Sequence, residues 1–400
     1  MECVVLAAGE GKRMRPLTAS RPKVMLPIAN RPMIEYILRA ATEAGIDRFV
    51  FVVGYYEREI REYFGDGSAF GATIRYVTQR RQMGTGDAVR TVRDLVTGRF
   101  ILLNGDMIVS SDDILALSSA CSPCMGIYSS EHPENYGVVT VEGDTVTGLV
   151  EKIRKPPSSL INAGAYLFDT DIFDRVDAIG LSERGEYELT DALMEYIRER
   201  TLGALTFGSW CDVGEPWNLL DANEAMIAGM QGDVEGEIEK NVVISGPLSV
   251  GKGTVIRSGT YIEGPCIIGK NCRIGPHAYI RGSTAIGDNC VIGHATEIKN
   301  TIVLEGTKIP HFSYIGDSVI GSGCNFGAGT KIANLRHDHA PVKACGRDTG
   351  RRKFGAVIGD GVQFGINCSI NVGAVVGSNV TVAPHTRVDG CIADGTVIGQ

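Results

Sequence analysis

The chain of 400 residues lacks several features that would place it in other classes of protein. It has no apolar run approaching the roughly 18 residues needed to cross a bilayer, so no membrane span is predicted. It has no excess of basic residues, because 39 Lys and Arg against 47 Asp and Glu leave a net charge of −8, which argues against nucleic acid as a partner. The first residues, MECVVLAAG, lack a basic region and predict no signal peptide, so we expect a cytoplasmic location.

The 11 cysteines lack the spacing of a metal site or a disulfide framework. Cys121 and Cys124 form the only close pair, and no second CxxC completes a zinc site. Several others stand singly between aliphatic residues, where cysteine acts as a small apolar side chain. We therefore expect reduced thiols, which agrees with a cytoplasmic protein.

The second half of the chain is organised by a period of six residues. Every sixth residue from Ile244 to Leu304 is aliphatic, and the residue four places after each is usually small. An α-helix repeats every 3.6 residues and a strand every two, whereas a coil with three flat sides of six residues has this period. The pattern predicts a left-handed parallel β-helix of hexapeptide repeats.

This period is interrupted twice. Pro310 stands where an aliphatic residue is expected, and the pattern resumes one residue early at Ile315. The basic segment 335–355 cannot form a coil and is predicted as an insertion. We expect about seven coils, roughly 34 Å tall at about 4.8 Å per coil. Function is expected at the slip and the insertion, because a repeat departs from its own rule where a site requires it.

The first half alternates short apolar strands with helices, which predicts a Rossmann-like, mostly parallel sheet with helices on both faces. Ligands bind such sheets at the carboxyl ends of the strands. The predicted domains are 1–229 and 241–400, with a polar linker at 230–240. The predicted strands include Cys3–Ala7, Phe49–Val53, Thr73–Thr78 and Phe100–Leu103, and the predicted helices include Pro32–Ala44, Glu57–Phe64, Gly86–Leu95 and Leu189–Glu199.

A loop rich in glycine and basic residues follows the first strand. Residues 6–18 read LAAGEGKRMRPLT, and residues 21–27 read RPKVMLP. Glycine lets backbone N–H groups approach a phosphate, and the cations neutralise its charge. The P-loop sequence GxxxxGK[ST] and the third glycine of a dinucleotide fingerprint are both missing, so we predict a phosphate cradle of another kind.

This loop resembles the signature of the sugar-phosphate nucleotidylyltransferases, LAAGxGxRx followed by PKxxxP. Similar motifs continue in the same order as QMGTGDA at 82–88, NGDM at 104–107, NYGVV at 135–139, NAGAY at 162–166 and WCDVG at 210–214. The resemblance implies that a sugar-1-phosphate oxygen attacks the α-phosphorus of a nucleoside triphosphate and that pyrophosphate leaves. Because that nucleophile is already an anion, catalysis consists of alignment and charge neutralisation.

The resemblance also implies roles for individual residues. Arg13 would hold the leaving phosphates, Lys23 the α-phosphate, and Asp106 with Asp212 a Mg²⁺ ion. The nucleotide would contact Leu6, Ala8, Gly9, Gly11, Gln79, Gly84 and Thr85, and the sugar phosphate would contact Gly137, Glu151, Lys152 and Asn162. Bacterial enzymes specific for N-acetylglucosamine-1-phosphate have Asn at Asp212, so dTTP and glucose-1-phosphate stay open beside UTP and the amino sugar.

Motifs in the second half resemble the acetyltransferase half of the bifunctional bacterial enzymes that also carry uridylyltransferase activity. These motifs are RGSTAIG at 281–287, EIKN at 297–300, HFSYIGDS at 311–318 and NFGAGT at 325–330. By this resemblance His311 would take the amine proton of glucosamine-1-phosphate. The acceptor would contact Arg281, Lys299, Tyr314 and Asn325, and acetyl-CoA would contact Ala328, Asn334, Ala383 and Lys343, the last from a neighbouring subunit. A serine that helps hold acetyl-CoA in those enzymes falls on Ile366 here.

Two hypotheses follow. The first is a bifunctional enzyme that acetylates glucosamine-1-phosphate and then joins the product to UTP or dTTP. The alternative is a glucose-1-phosphate thymidylyl- or uridylyltransferase whose β-helix only assembles a trimer; a regulatory subunit without catalysis is disfavoured by the intact Arg13, Lys23, Asp106 and Asp212. A homotrimer is expected, because a flat prism face encloses a ligand only against a second chain.

Overall fold

The computed structural model describes residues 1–151 and 153–399 of the chain. These residues form two compact units. The first contains residues 1–10, 21–25 and 32–212, and the second contains residues 11–20, 26–31 and 213 onward. In the described residues, none of the helices has the length and apolar character required to span a membrane.

The first unit is built on a nine-stranded sheet. Four neighbouring strands at one side are parallel, and most of the remaining pairs are antiparallel. In spatial order the strands are Thr73–Thr78, Arg48–Val53, Glu2–Ala7, Phe100–Asn104, Leu160–Phe168, Cys124–Ser129, Gly203–Thr206, Thr145–Glu151 and Gly137–Glu142. Shorter strands of this unit are Met107–Val109 and Trp210–Asp212. The short strand Pro27–Ile28 belongs to the second unit, and in the strand Arg31–Pro32 the chain returns to the first.

Helices cover both faces of this sheet, as predicted. Cys3 and Val5 point into one apolar cluster while Val4 between them points into another, because successive side chains of a strand alternate between faces. The first cluster includes side chains of α1 and α4, and the second includes side chains of α3, α5 and α6. The helices of this unit are α1 Met33–Glu43, α2 Glu57–Phe64, α3 Thr85–Arg90, α4 Ser111–Ser119, α5 Ile172–Ala178 and α6 Leu189–Glu199, whereas α7 Asn218–Ala228 belongs to the second unit.

Helix α3 is shorter than the predicted Gly86–Leu95. It ends at Arg90, and residues 91–95 continue as turns. The hydroxyl of Thr91 donates to the carbonyl oxygen of Ala88, and backbone bonds span three residues instead of four. A threonine that bonds back to the preceding turn competes with the helical pattern.

The second unit contains the predicted β-helix, whose three parallel sheets have nine, eight and eight strands. The first coil sheet contains Glu237–Ile238, Val255–Ile256, Arg273–Ile274, Val291–His294, Lys308–His311, Asn325–Phe326, Gln363–Phe364, Thr381–Val382 and Val397–Ile398. The second contains Val243–Ser245, Tyr261–Glu263, Tyr279–Arg281, Glu297–Lys299, Tyr314–Gly316, Lys331–Ile332, Ser369–Ile370 and Arg387–Val388. The third contains Leu248–Val250, Cys266–Ile268, Thr284–Ile286, Ile302–Val303, Val319–Ile320, Ala356–Ile358, Ala374–Val376 and Cys391–Ile392.

The register of the coils corrects the predicted slip. Ile286 pairs with Val303 and Ile292 with Ile309, so Val303 is the inward residue where Leu304 was expected. The interval from Ile298 to Val303 is therefore five residues. A second interval of five separates the inward residues Ile315 and Ile320. The prediction at Pro310 was wrong because Val303 and Leu304 are both aliphatic, and only strand pairing decides which one faces inward.

The prism is longer than the predicted seven coils, since nine strands stack in its first sheet. Its strands begin at Glu237–Ile238, within the segment predicted as a linker. Ile244, expected to point inward, is 39% exposed, because it belongs to the first coil, which has a neighbouring coil on one side only.

The insertion forms a hairpin of Lys343–Ala344 and Arg347–Asp348. Its ends are joined where the Phe354 N–H donates to the Asn334 carbonyl oxygen at 3.0 Å. Cys345 in this hairpin forms a disulfide with Cys391 of the third coil sheet, so the expectation of reduced thiols is wrong for this pair. The two cysteines are 46 positions apart in the sequence, which gave no signal of their proximity. The other nine cysteines are not disulfide-bonded.

Candidate active sites

Asp106 directly precedes one short strand of the first unit, and Asp212 ends the short strand that pairs with it. Asp106 follows the strand Phe100–Asn104 at its carboxyl end, and the next strand, Met107–Val109, pairs antiparallel with Trp210–Asp212. In that register Asp212 is opposite Met107, the residue after Asp106. Among the described residues no group of three or more His, Cys, Asp or Glu could hold a metal ion. Two carboxylates completed by substrate phosphate oxygens fit Mg²⁺, which commonly takes one or two protein carboxylates.

Lys23 meets Asp106 directly. It starts a short 3₁₀ turn, Lys23–Met25, and is only 7% exposed. Its Nζ lies 2.6 Å from Asp106 Oδ2. The partner carboxylate offsets the burial of this ammonium, and the pair places the lysine at Asp106.

The predicted nucleotide-binding motif around Gln79 is held by hydrogen bonds. Gln79, 4% exposed, donates from Nε2 to the Gly84 carbonyl oxygen at 3.1 Å and to Asp87 Oδ2 at 2.8 Å. Gly84 has φ of 103°, and a Cβ there would lie 2.5 Å from the Tyr187 carbonyl oxygen. Thr85 Oγ1 accepts from the Leu189 N–H at 3.0 Å. Glycine is therefore required at 84 by both conformation and space.

The backbone at the end of the first strand is hydrogen-bonded to the segments that follow the two neighbouring strands, and the space beside Gly9 is open. The Leu6 carbonyl oxygen accepts from the Gly105 N–H at 2.9 Å, and the Ala8 carbonyl oxygen accepts from the Tyr55 N–H at 3.1 Å. A Cβ added at Gly9 would meet no atom within 4 Å, so there is room for a ligand against this backbone. Gly11, with φ of 68°, starts the turn that carries Arg13, and both belong to the second unit.

The predicted sugar-phosphate residues of the first unit lie on two pairs of antiparallel strands, Gly137–Glu142 with Thr145–Glu151 and Leu160–Phe168 with Cys124–Ser129. Gly137 is opposite Glu151, and a Cβ at Gly137 would lie 3.1 Å from Glu151 Oε1. Asn162 Oδ1 accepts from the Gly164 N–H at 2.9 Å, and its Nδ2 lies 2.7 Å from the Tyr166 hydroxyl. Burial raises the pKa of Tyr166, so this hydroxyl stays protonated at neutral pH. Lys152 lies outside the described residues.

Sequence reasoning missed an aromatic group in this unit. The Trp210 ring lies 5.6 Å from that of Tyr128 and 5.3 Å from that of Tyr136, measured between centroids. Trp210 Nε1 donates to the Ala163 carbonyl oxygen at 2.8 Å, in the motif that contains Asn162. The signal was present, since Tyr136, Ala163 and Trp210 belong to three of the family motifs.

The predicted acceptor residues of the second half lie mostly on the outer face of the second coil sheet. Arg281 and Lys299 are register partners in successive strands, and Tyr314 is opposite Glu297 in the next. Arg281 Nη1 lies 3.1 Å from Glu297 Oε1. Asn325 instead lies on the first coil sheet, opposite Lys308. A single chain therefore presents these residues on two adjoining faces of the prism.

Asp317 organises a polar cluster that the sequence did not reveal. Its carboxylate, 2% exposed, accepts from Lys299 Nζ at 2.9 and 3.0 Å, from Asn300 Nδ2 at 3.0 Å and from Asn334 Nδ2 at 2.5 Å. Asn334 Nδ2 also lies 3.0 Å from the Tyr314 hydroxyl. Burial, and then the Asp317 charge, raise the pKa of Tyr314. The cluster joins two predicted acceptor residues and one predicted acetyl-CoA residue.

This cluster occupies the corner between the second and third coil sheets. Both five-residue intervals pass this corner, where Asn300 and Asp317 have φ of 44° and 51°. The insertion leaves the next coil at the same corner, after Asn334. Left-handed Asn and Asp residues are tolerated because their short polar side chains bond locally. A spacing of 17 residues between Asn300 and Asp317, where 18 is the rule, was the available signal.

His311 lies at a different corner of the prism, between the first and second coil sheets. Its ring is exposed, as is that of Phe312 beside it. The same corner contains Ala328 one coil on and Ala383 further along the stack, because backbone bonds connect His311 with Gly329, Ala328 with Asn367 and Ile366 with His385. The predicted base and two predicted acetyl-CoA residues thus share one edge of the prism. Lys343 is exposed in the hairpin of the insertion.

Comparison with known proteins agrees with both halves. The nucleotidyl transferase family model matches residues 2–229, and the GMPPB C-terminal domain model matches residues 262–397. A bifunctional protein GlmU of Methanococcus maripaludis is 45% identical, with 100% of this chain and 97% of the relative covered. A bifunctional sugar-1-phosphate nucleotidylyltransferase/acetyltransferase of Sulfurisphaera tokodaii is 37% identical, with 97% of each covered.

The chain belongs to this family of bifunctional nucleotidylyltransferase/acetyltransferases. Membership over the full length favours two activities over the alternative of one activity with a β-helix scaffold. Among solved structures, a putative glucose-1-phosphate thymidylyltransferase from Bacillus anthracis is similar with a TM-score of 0.53 and 26% identity. The similar region covers 57% of this chain and 96% of the thymidylyltransferase chain. A UDP-glucose pyrophosphorylase complexed with UDP-glucose gives a TM-score of 0.52 at 25% identity, covering 57% and 99%.

Proposed function

We propose that the chain converts glucosamine-1-phosphate to a nucleotide sugar in two steps. The β-helix transfers an acetyl group from acetyl-CoA to the amine, and the first half then joins N-acetylglucosamine-1-phosphate to UTP, releasing pyrophosphate. The observation that carries this proposal is the outer face of the second coil sheet. There Arg281 and Lys299 stack in register beside the Tyr314–Asn334 pair, which suits a phosphorylated acceptor better than a scaffold surface does.

In the nucleotidyl site the chain aligns two polyanions. Lys23 would stabilise the charge at the α-phosphate, and Arg13 would hold the phosphates that leave. Asp106 and Asp212 would hold Mg²⁺, which when bound supplies further neutralisation of phosphate charge. Gln79, Gly84 and Thr85 would contact the base, and the backbone at Leu6, Ala8, Gly9 and Gly11 the remainder of the nucleotide. The sugar phosphate would lie against Gly137, Glu151, Lys152 and Asn162.

In the acetyl site the amine nitrogen attacks the thioester carbonyl carbon, the C–S bond breaks, and coenzyme A leaves. His311 would take the proton released from the amine. Arg281, Lys299, Tyr314 and Asn325 would bind the acceptor. The N–H of Ala328 would stabilise the oxyanion, with Asn334, Lys343 and Ala383 contacting acetyl-CoA.

The separation of these residues over two faces supports a homotrimer in the cytoplasm, with each acetyl site completed by a neighbouring β-helix. A flat prism face has no enclosing wall of its own. Closed threefold symmetry supplies three equivalent clefts. Sedimentation at micromolar concentration tests this: a monomer with the full rate of acetyl transfer would contradict it.

A second candidate concerns the substrate pair of the first half. Asp212 and the likeness to a putative thymidylyltransferase favour dTTP with glucose-1-phosphate as an additional pair. Comparing kcat/KM for the four combinations of UTP or dTTP with each sugar phosphate ranks them.

The decisive experiment is an incubation of the purified chain with acetyl-CoA and glucosamine-1-phosphate, followed as free thiol. Thiol release that depends on the sugar phosphate is expected. UTP and Mg²⁺ are then added, and pyrophosphate should appear only after acetylation has begun. Pyrophosphate from glucose-1-phosphate without any thiol release would instead establish the single-activity alternative.

A further inference from the structure

The insertion reaches the loop that carries Arg13. Nη1 and Nη2 of Arg347, in the insertion hairpin, each lie 3.5 Å from the backbone carbonyl oxygen of Arg13. Both residues belong to the second compact unit, although Arg13 lies in the predicted phosphate-binding loop near the start of the chain. This carbonyl oxygen belongs to the peptide group between Arg13 and Met14, next to the Cα atom that carries the Arg13 side chain.

Other residues fix the position of Arg347. Its guanidinium forms an ion pair with Glu215, and its Cζ lies 5.2 Å from the centroid of the Trp217 ring. Trp217 is buried and packs edge-on against Phe354, at the end of the insertion, with 6.0 Å between centroids. A planar guanidinium held by an anion and an aromatic face keeps its remaining N–H groups in a fixed direction.

Other residues near Arg13 in the sequence are hydrogen-bonded to the β-helix or to α7 of the same unit. The Ser20 hydroxyl donates to Asp360, in a turn between coils. Asn30 Nδ2 donates to the Ile286 carbonyl oxygen at 2.7 Å. The fully buried Asn223 of α7 accepts from the Ala29 N–H at 2.9 Å and donates to the Ser283 carbonyl oxygen at 2.9 Å. Segments 11–20 and 26–31, on either side of Lys23 in the sequence, are thus attached to coils or to α7.

We infer that Arg347 is a positioning residue for nucleotidyl transfer, supplied by the acetyltransferase half. By binding the Arg13 carbonyl oxygen it orients the peptide from which the Arg13 side chain projects. This inference rests on the proposed role of Arg13 at the phosphates. Small displacements of a group that aligns reacting atoms lower rates strongly, about 10²-fold for 1 Å. The insertion therefore serves the first reaction as well as its own half.

Arg347→Ala in the full chain tests the inference. Its kcat for pyrophosphate release should fall about tenfold, with KM for the nucleotide changing less, because alignment at the transition state is lost. Arg347→Lys keeps a charge beside Glu215 and should recover part of the rate. Acetyl transfer from acetyl-CoA and the melting temperature should stay at the level of the unmodified protein.

Arg351→Ala is the matched control. Arg351 follows the same hairpin, and its guanidinium pairs with Asp221 of α7. It therefore anchors the insertion to the helix, whereas Arg347 also contacts the Arg13 loop. Arg351→Ala should leave pyrophosphate release within about twofold. An equal loss in both variants, or joint loss of both activities and of melting temperature, would mean that Arg347 only anchors the hairpin, and the inference would be wrong. A full rate in Arg347→Ala would also overturn it. Absence of pyrophosphate release from the unmodified chain would instead refute the proposed function itself.

Discussion

Asp317 neutralises Lys299 inside the polar cluster of the second coil sheet. Its buried carboxylate is satisfied by three side chains, so it is stable only with these donors in place. The arrangement also has a consequence for the proposed acetyl site. A phosphate that approached Lys299 there would meet an ammonium already fixed in direction, whose charge is shared with Asp317.

We expect Asp317→Asn to destabilise the chain by up to about 3 kcal/mol, because it leaves the largely buried Lys299 ammonium without its counter-charge. Denaturant unfolding measures this free energy. The matched control is Asp338→Asn, an exposed carboxylate paired with Arg336, which should change nothing measurable. Equal stability of both variants would show that the Lys299–Asp317 pair is dispensable.

His311→Ala should lower acetyl transfer by roughly 10²–10⁴, the range for loss of a positioned base. The deficit should shrink between pH 7 and 9, because a larger fraction of the amine substrate is then unprotonated. Binding of acetyl-CoA and nucleotidyl transfer should be unchanged. A variant that keeps more than about a third of its acetyl-transfer rate would remove the assignment of His311 as the base.

At this scale the sequence indicated candidate residues but not their contacts. Arg281, Lys299, Tyr314 and His311 were found through motifs, but nothing in those motifs shows that Lys299 pairs with Asp317. In the shortened coil Lys299 stacks on Gly316, and its ammonium reaches the carboxylate of the next residue, Asp317, at the corner. The contact of Arg347 was hidden by distance along the chain, since its partner is more than 300 positions away.

At the scale of elements, the period of six predicted the prism and misplaced its irregularity. Periodicity shows that an aliphatic residue faces inward, but it cannot choose between adjacent Val303 and Leu304. Hydrogen bonding between coils makes that choice. The shorter intervals then bring Asn300, Asp317 and the start of the insertion to one corner, so the irregular part of the stack is where the polar cluster forms.

The small interior positions of the coils predict a dependence of stability on pH. Burial raises the pKa of Cys266 and of Cys324 from about 9 to about 12. A raised folded-state pKa stabilises the fold below the unfolded pKa, and this stability is lost as pH rises from about 9 towards 12. Each thiol should account for about 1.4 kcal/mol lost by pH 10.

Unfolding at pH 7.5 and 10 tests this in the unmodified chain and in Cys266→Ala/Cys324→Ala. The double variant should lose about 3 kcal/mol less between the two pH values, whatever its stability at pH 7.5. If both proteins lose the same amount, these thiols do not titrate on unfolding in the way that their burial requires.

At the scale of the whole molecule, substitutions in the nucleotidyl site should leave acetyl transfer intact. Asp212→Ala should abolish pyrophosphate release and leave acetyl transfer near the unmodified rate, because Asp212 and the strand Met107–Val109 opposite it belong to the first unit. Asp106→Asn should do the same. Loss of acetyl transfer in a well-folded variant of either kind would contradict the assignment of two sites. In the other direction, changes in the insertion are expected to reach nucleotidyl transfer through Arg347.

The first coil of the prism has one neighbour, and its Ile238, Val243 and Ile244 are exposed. Because the strands of each coil pair only with strands of the coils beside it, the prism approximates a one-dimensional stack of nearest neighbours. Such a stack frays from its ends, so amide hydrogens should exchange faster in this coil than near Lys299 and Asp317. The polar cluster therefore lies where thermal opening should be rarer than at this end of the stack.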